Sequence, residues 1–410
     1  MTAEGTLVIV GGGLAGAKAA EGARAGGYQG RIVIAGDEGA APYERPPLSK
    51  AVLRGDADLN STLVFDGKFY ADQAIEVRTG VAVVGVDVKA RRVDLADGDA
   101  MGFDNLIFTT GATPRRIEIP GADLAGVYYL RTASDSTRLQ AAIKNAKRIA
   151  VIGAGWIGSE VAASARMMGA DVVLIDPGLS PLHRVLGTKV AVVFQQLHSD
   201  HGVELRLGVG ATELRGASSV EQVVLSDGRV ENADVVVVGV GALPRVELAA
   251  AAGLKVENGI VVDENLETSI PGIFAAGDAA NAWHPRYQRY LRVEHWANAR
   301  YQGAAAGHNA TSHREAYDRL PYFYSDQYDL SLEYVGHAGS QDEVVIRGGL
   351  EGRKCVAMYH RNGVVTAALT LNVTKVFKDL KAIIASGAPM DLKSLTDPDI
   401  PFADLVPAHA

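Results

Sequence analysis

The sequence predicts an α/β fold: two similar βαβ units, the second about 140 residues after the first, followed by a small α+β region. Three observations carry that prediction. A run of strand, glycine-rich turn, helix and strand occurs twice in the same order; an aspartate closes the second strand of each copy; and beyond Tyr324 the apolar residues fall into short alternating stretches.

The first copy starts at Leu7-Val-Ile-Val10 and turns through Gly11-Gly-Gly13-Leu14-Ala15-Gly16. An alanine-rich helix then runs to about Ala25, and the strand Arg31–Ala35 leads to Asp37. The second copy has Arg148–Ile152, the turn Gly153-Ala-Gly155-Trp156-Ile157-Gly158, a helix through Met168, and the strand Asp171–Ile175 leading to Asp176. In such a turn the first glycine permits the tight reversal, the second lets backbone approach a pyrophosphate, and the third lets helix and strand pack closely. The helix N-terminus adds N–H donors for phosphate. Asp37 and Asp176 follow Gly16 and Gly158 by 21 and 18 residues, near the spacing at which a carboxylate accepts from ribose hydroxyls. One such motif alone is equally a flexible glycine loop. Two copies, each with its acid, predict two Rossmann-like dinucleotide-binding domains.

The 410 residues, 48% of them hydrophobic, suffice for two or three domains with large cores. No apolar run reaches the roughly 20 residues of a membrane helix. No basic stretch followed by an apolar one marks a secretory signal, so a cytoplasmic location without a membrane span is expected. The net charge of −8 weighs against general nucleic-acid binding and favours small molecules and proteins as partners. The single cysteine, Cys355, excludes an internal disulfide and a thiolate metal site; no metal is expected, and redox chemistry falls to a bound cofactor. Cys355 lies in an alternating strand, which points to a buried thiol.

Two further segments, Leu106-Ile-Phe-Thr-Thr110-Gly111-Ala-Thr-Pro114-Arg115 and Ile270-Pro-Gly-Ile273-Phe-Ala-Ala-Gly277-Asp278, resemble the fingerprints of the two-dinucleotide-binding-domain, glutathione-reductase-like flavoproteins. The resemblance narrows at Ala41-Pro-Tyr43-Glu-Arg45-Pro-Pro47-Leu-Ser-Lys50, Tyr128-Tyr-Leu-Arg131-Thr132 and Pro321-Tyr-Phe-Tyr-Ser-Asp326-Gln-Tyr328. With these, essentially the whole chain is similar to the NADH-dependent ferredoxin reductases that serve oxygenases, the putidaredoxin and rubredoxin reductase group. It implies FAD on the first glycine-rich unit and NADH on the second. Residues 1–115 and 242–320 would form the FAD domain, 116–241 the NAD domain and 321–410 the α+β C-terminal domain.

Carried over by residue, the resemblance sets Gly11, Gly13, Leu14, Ala15, Gly16, Asp37, Arg45, Lys50, Val83, Thr110, Gly111, Arg131, Gly277 and Asp278 around FAD, with Glu294, His295 and Trp296 toward the pyrimidine end of the flavin. It sets Gly153, Gly155, Trp156, Ile157, Gly158, Glu160, Asp176, Arg184 and Gly241 around NAD, and brings Lys50 and Glu160 together as the pair that assists hydride transfer. The residues also admit plainer readings. On these readings Asp278 is a helix N-cap, a role that can coexist with FAD binding, Arg45 and Lys50 a solvated loop pair, Trp296 core packing, Glu160 a first-turn carboxylate favouring the helix dipole, and Trp156 a partly exposed packing aromatic.

Disulfide reductases of the superfamily carry a cysteine pair in the helix of the first domain, and relatives acting on peroxide or CoA disulfide use one cysteine near position 42, where this chain has Ala41-Pro42. Electrons must then leave directly from the reduced cofactor. The implied reaction passes hydride from NADH to FAD and single electrons to a 2Fe-2S ferredoxin that feeds a monooxygenase or dioxygenase; alternatives are a rubredoxin reductase and a partner-independent NADH oxidase or quinone-type reductase. A monomer or weak homodimer is expected. Asp176 favours NADH over NADPH. Arg286, Arg289, Arg292, Lys375 and Lys378 offer either a basic surface for an acidic ferredoxin or scattered solvated charges.

Overall fold

The computed structural model describes residues 4–311 and 314–407. The chain forms two compact units. One contains the residues up to Pro46, Asp58–Thr113 and Ala242–Arg319; the other contains Pro47–Ala57, Pro114–Gly241 and the residues from Leu320 onward.

The first unit is built on a five-stranded parallel sheet in the order Ile273–Ala275, Asn105–Phe108, Thr6–Val10, Arg31–Gly36, Ile75–Thr79. Its central strand is covered on both faces, with Leu7, Val8 and Ile9 fully buried. Parallel strands of this kind therefore read as continuous apolar runs. The helix Leu14–Ala25 packs along the helix Trp296–Asn309 through small residues. A Cβ on Gly307 would lie 1.9 Å from the Ala19 carbonyl oxygen, and one on Gly22 would lie 2.1 Å from that of Ala304. The alanine and glycine content of the first helix is thus a condition of its packing. After Ile273–Ala275 the chain makes one 3-10 turn, Gly277–Ala279, and enters a strand, Ala280–His284, paired in parallel with Ile260–Val262. The helix N-cap reading of Asp278 is accordingly wrong: Ala276, not Asp278, stands at the N-cap position of the turn, and the apolar residues that follow are recruited to a sheet.

The second unit repeats the arrangement. Its parallel sheet runs Glu204–Leu207, Asp171–Asp176, Arg148–Ile152, Val235–Val238, Val127–Tyr128, with Val151 opposite both Leu174 and Val237. The same unit holds an antiparallel sheet in the order Tyr322–Gln327, Leu330–Gly336, Val364–Leu371, Lys354–Arg361, Glu343–Gly349. Alternation along Lys354–His360 predicts one solvated face, yet Cys355 through His360 are all buried. Val356 and Met358 meet the helix Phe377–Ser386 through Leu380 and Ile384. Cys355, Ala357 and Tyr359 meet Leu186, Val190 and Phe194 of the helix His183–Asp200. Both faces are covered because helices from distant parts of the chain close on the sheet, which no local pattern encodes.

The segment Pro47–Ala57 is tied into this unit by its backbone. Ser136 Oγ donates to the Leu48 carbonyl (2.8 Å), Ser164 Oγ to that of Ser49 (2.7 Å), and Gln140 Nε2 to those of Val52 and Leu53 (3.0 Å each). Leu53 is buried with Leu139, Ile143 and Val161. The helix Ala133–Asn145 that supplies Ser136 and Gln140 begins with a capping box: Asp135 N–H donates to Thr132 Oγ1 while the Asp135 carboxylate accepts from the Thr132 N–H. Such a box contributes on the order of 1 kcal/mol to fixing where the helix starts.

Candidate functional site

The two glycine turns have the same geometry. Gly11 and Gly153 hold φ of 125° and 101°, and a Cβ on either would lie 2.3 Å and 2.4 Å from a backbone oxygen, of Thr109 and Gly239 respectively. Gly16 and Gly158 face the carbonyls of Gly11 and Gly153 so closely that a Cβ would sit 2.2 Å and 1.8 Å away. At Gly13 and Gly155, the residues before each helix, a Cβ would meet nothing within 4 Å. The outer glycines are thus required by packing, whereas the middle ones leave open space in front of a helix N-terminus. That is the form of a pyrophosphate cradle, and both loops fit a dinucleotide.

Asp176 reaches back to its loop. Its Oδ2 accepts from Ala154 N–H (2.7 Å) and Oδ1 from Gly178 N–H (2.6 Å), so the carboxylate anchors the turn and keeps lone pairs able to accept further donors. Ile157 is exposed beside the turn, as is Arg184, and Gly241 accepts from the Arg115 N–H (2.9 Å). Trp156 is half-buried, edge-on to Phe323 at 5.4 Å, with Phe323 stacked on Tyr334 at 4.4 Å. Its role as a packing aromatic is therefore real.

In the first unit, Leu14 and Ala15 open the helix behind Gly13, and Val83 is buried in the strand Val83–Asp87. Asp37 is exposed and ion-paired with Arg245 at 2.9 Å; the Arg245 carbonyl accepts from Thr110 Oγ1 (2.5 Å), and its N–H donates to Gly111 (2.9 Å). Arg245 was not among the expected residues. Its signal was the repeat of Gly-Ala-x-Pro-Arg at 111–115 and 241–245. Arg45 pairs with Glu38 at 2.5 Å and donates to Tyr43 Oη at 3.3 Å, while the Tyr43 hydroxyl donates to Glu38. Burial weighs against the Arg45 charge, but Tyr43, Glu38 and Asp278 outweigh it and hold the guanidinium above its ordinary value. Arg45 and Asp278 are thus brought within electrostatic reach of each other. Glu294 pairs with Arg292, His295 caps the helix Trp296–Asn309 by accepting from Ala297 N–H (3.2 Å), and Arg300 lies 5.4 Å over the Trp296 ring. The Arg292 side chain is only 13% exposed and held by Glu294, which removes it from the expected basic surface.

The most developed cluster lies in the second unit. Lys50 Nζ is 2.7 Å from Glu160 Oε2, with the two side chains 15% and 5% exposed. The solvated-loop reading of Lys50 is therefore wrong, and so is that of Arg45. Glu160 lies past the first turn of its helix, which contains no acid, and its carboxylate points to Lys50 rather than to the helix dipole. Ser49 Oγ also donates to Oε2 (2.5 Å), and Ser325 Oγ donates to Oε1 (2.8 Å). A buried carboxylate without partners is strongly destabilising; here three donors converge on it. Gln327 Nε2 donates to Ser325 Oγ (3.2 Å), and Gln327 Oε1 faces His198 Nε2 at 3.1 Å. Ser49, Ser325, Gln327 and His198 were not expected in the site. Three of them stand in the Pro-Pro-Leu-Ser-Lys and Ser-Asp-Gln-Tyr segments already marked as distinctive, but nothing local leads to His198. Arg131 lies in the loop before the helix Ala133–Asn145, its N–H donating to Asp135 at 3.1 Å.

Burial pushes His198 down from 6.5 to about 4. Between those values the unfolded chain takes up a proton that the native state refuses, so stability is present above about pH 6.5 and lost as pH falls toward 4. At roughly 1.4 kcal/mol per unit this reaches about 3 kcal/mol. His198→Phe is expected to flatten that part of the denaturant midpoint against pH; an unchanged slope would refute the assignment.

Residues 5–303 match the pyridine nucleotide-disulphide oxidoreductase family model and residues 322–406 the reductase C-terminal model. The chain belongs to this oxidoreductase family, whose cofactors are FAD and NAD(H). Within it the chain is 36% identical to rhodocoxin reductase of Rhodococcus erythropolis, over 98% of this chain and 95% of that protein. It is 37% identical to the ferredoxin–NAD(+) reductase component of the anthranilate 1,2-dioxygenase system of Burkholderia cepacia, over 96% and 97%. The crystal structure of the ferredoxin reductase for the CYP199A2 system of Rhodopseudomonas palustris superposes with a TM-score of 0.95 at 37% identity, covering 98% of this chain and all of that one. Among the described residues, no helix is long and apolar enough to cross a membrane.

Proposed function

We propose that this chain is the NADH-dependent reductase of an oxygenase system in the cytoplasm, delivering electrons through FAD to a small 2Fe-2S ferredoxin. The observation that carries this reading is the chain-length likeness to ferredoxin reductases, in a sequence whose sole cysteine is buried in the C-terminal sheet. Burial pushes the Cys355 thiol up to about 11, which keeps it protonated and out of any thiol relay. When bound, FAD supplies the conversion of a two-electron hydride into single electrons.

The remaining work belongs to the protein and is mainly positioning. Residues 1–115 and 242–320 hold FAD, with Gly13 leaving room for its pyrophosphate and Arg45 and Asp278 contributing charge. Residues 116–241 hold NADH on the Gly153–Gly158 turn. Lys50 and Glu160 hold each other's charge at the site of transfer, and residues 321–410 complete the site through Ser325.

The test is titration of 2Fe-2S ferredoxins and rubredoxins into NADH-driven cytochrome c reduction. Large, saturable stimulation by a 2Fe-2S carrier is expected. Stimulation by rubredoxin alone would make the chain a rubredoxin reductase, and full turnover with oxygen or quinones alone would make it a partner-independent oxidase. Cofactor choice gives a second expected result. The Asp176 carboxylate repels a 2′-phosphate, so kcat/KM should favour NADH by at least about tenfold, or about 1.4 kcal/mol. Equal values with NADPH would remove Asp176 from that role.

A further inference from the structure

We propose that His198, Gln327 and Ser325 form a one-directional hydrogen-bond chain that holds Glu160 as the unprotonated partner of Lys50, making all three positioning residues for that pair. The role in electron transfer rests on the proposed function; the chain itself does not.

The direction follows from counting donors and acceptors. Gln327 Nε2 faces Ser325 Oγ at 3.2 Å, so its amide oxygen is the atom turned to His198 Nε2, 3.1 Å away. An amide oxygen only accepts, which requires the proton of the imidazole to sit on Nε2. Ser325 Oγ, accepting from Gln327, is left to donate its own proton to Glu160 Oε1 at 2.8 Å. Glu160 accepts there and, at Oε2, accepts from Lys50 and Ser49. From His198 through Gln327 to Ser325 each proton points the same way, and the series ends on a carboxylate.

The opposite direction has a definite composition. Glu160 would carry the proton and donate it to Ser325, Ser325 would donate to Gln327 Oε1, and Gln327 Nε2 would donate to His198 Nε2. The imidazole proton would then have to sit on Nδ1. His198 is fully buried, and its Nδ1 has no hydrogen-bond partner. A buried N–H without an acceptor costs about 1–3 kcal/mol. The unpartnered nitrogen at one end therefore selects the tautomer, the tautomer selects the amide orientation, and the amide orientation aims the serine proton at Glu160.

Surrounding groups reinforce the neutral imidazole. The Tyr328 ring stands edge-on to His198 with ring centres 5.7 Å apart, and stacks on His201 at 3.7 Å. His201 Nδ1 is engaged with the Leu197 carbonyl at 2.9 Å. Among the described residues, the ionisable side chains acting on His198 reduce to His201, whose charge opposes protonation.

The experiment uses the FAD-loaded protein, 15N-labelled at histidine, with His198→Phe to assign the resonance. Wild type is expected to show the Nε2–H tautomer. Ser325→Ala should convert a measurable fraction to Nδ1–H, because Gln327 is then free to turn, and Ser325→Thr should restore the wild-type signal. Stopped-flow flavin reduction by NADH is the second readout. In Ser325→Ala the rate constant is expected to fall about tenfold with the NADH dissociation constant unchanged. An Nδ1–H tautomer in the wild type, or a tautomer indifferent to Ser325→Ala, overturns the chain. If the tautomer responds but Glu160→Gln leaves flavin reduction unchanged, the chain stands, and its role in transfer falls together with that of the Lys50–Glu160 pair.

Discussion

Gly155→Val is expected to raise the NADH dissociation constant at least about 100-fold while the protein stays folded and retains FAD. Gly158→Val, three residues on, is expected to prevent that unit from folding. The contrast follows from what each new side chain meets. At Gly155 the backbone is extended, with φ −76° and ψ −169°, a conformation valine adopts readily, and the added Cβ enters open space. Nothing in the protein resists the substitution, but the space it fills is where a pyrophosphate would meet the helix N–H groups. At Gly158 the Cβ would lie 1.8 Å from the Gly153 carbonyl oxygen and 3.4 Å from Val151. Neither that oxygen nor the buried strand Arg148–Ile152 can swing aside. The helix would have to leave its sheet, at a cost well above the 1–3 kcal/mol of ordinary overpacking. Far-ultraviolet circular dichroism, bound FAD and nucleotide titration of the two variants check both statements. Tight NADH binding by Gly155→Val would show that this turn does not hold the nucleotide. Gly13→Val should behave in the same way toward FAD.

How far the sequence is legible can be judged from such residues. Gly11, Gly13, Gly16 and their counterparts at 153, 155 and 158 announce their tasks, because a glycine turn between an apolar strand and an alanine-rich helix has few other uses. The pairing of Lys50 with Glu160 came from resemblance, since 110 positions separate the two and no period or spacing links them. The alternative reading of Asp278, as a helix cap, fails for a plain physical reason. Ala279-Ala280-Asn281-Ala282 has helical propensity, but pairing with Ile260–Val262 buries Ala280 and Ala282, and burial outweighs propensity. His198 was invisible. On a helix facing a sheet it reads as a histidine among apolar neighbours, and only the third dimension sets its Nε2 against Gln327. Arg292 errs the other way, since a charge in a run of arginines looks solvated until Glu294 is found holding it.

Breaking the Lys50–Glu160 pair should separate stability from electron transfer. Glu160→Leu removes the carboxylate that faces the 15% exposed Lys50 ammonium and that accepts from the Ser49 and Ser325 hydroxyls. Lys50→Met leaves a 5% exposed carboxylate facing only hydroxyls. Each single substitution is expected to cost about 3–5 kcal/mol, the usual penalty for orphaning one member of a buried pair. The double variant, with two apolar side chains of similar volume, should recover most of that loss, because desolvating two charges offsets much of their attraction. Transfer should behave differently. If the pair biases the flavin through its charges, all three variants lack the arrangement, and flavin reduction by NADH should be slowed more than tenfold in each, recovered stability notwithstanding. Denaturant midpoints and stopped-flow reduction on the same preparations measure both quantities. A double variant that is stable and reduces its flavin at the wild-type rate would assign Lys50 and Glu160 to the fold alone. One that is stable and slow would establish that the pair is kept for its chemistry, at a site where an apolar core would have folded equally well.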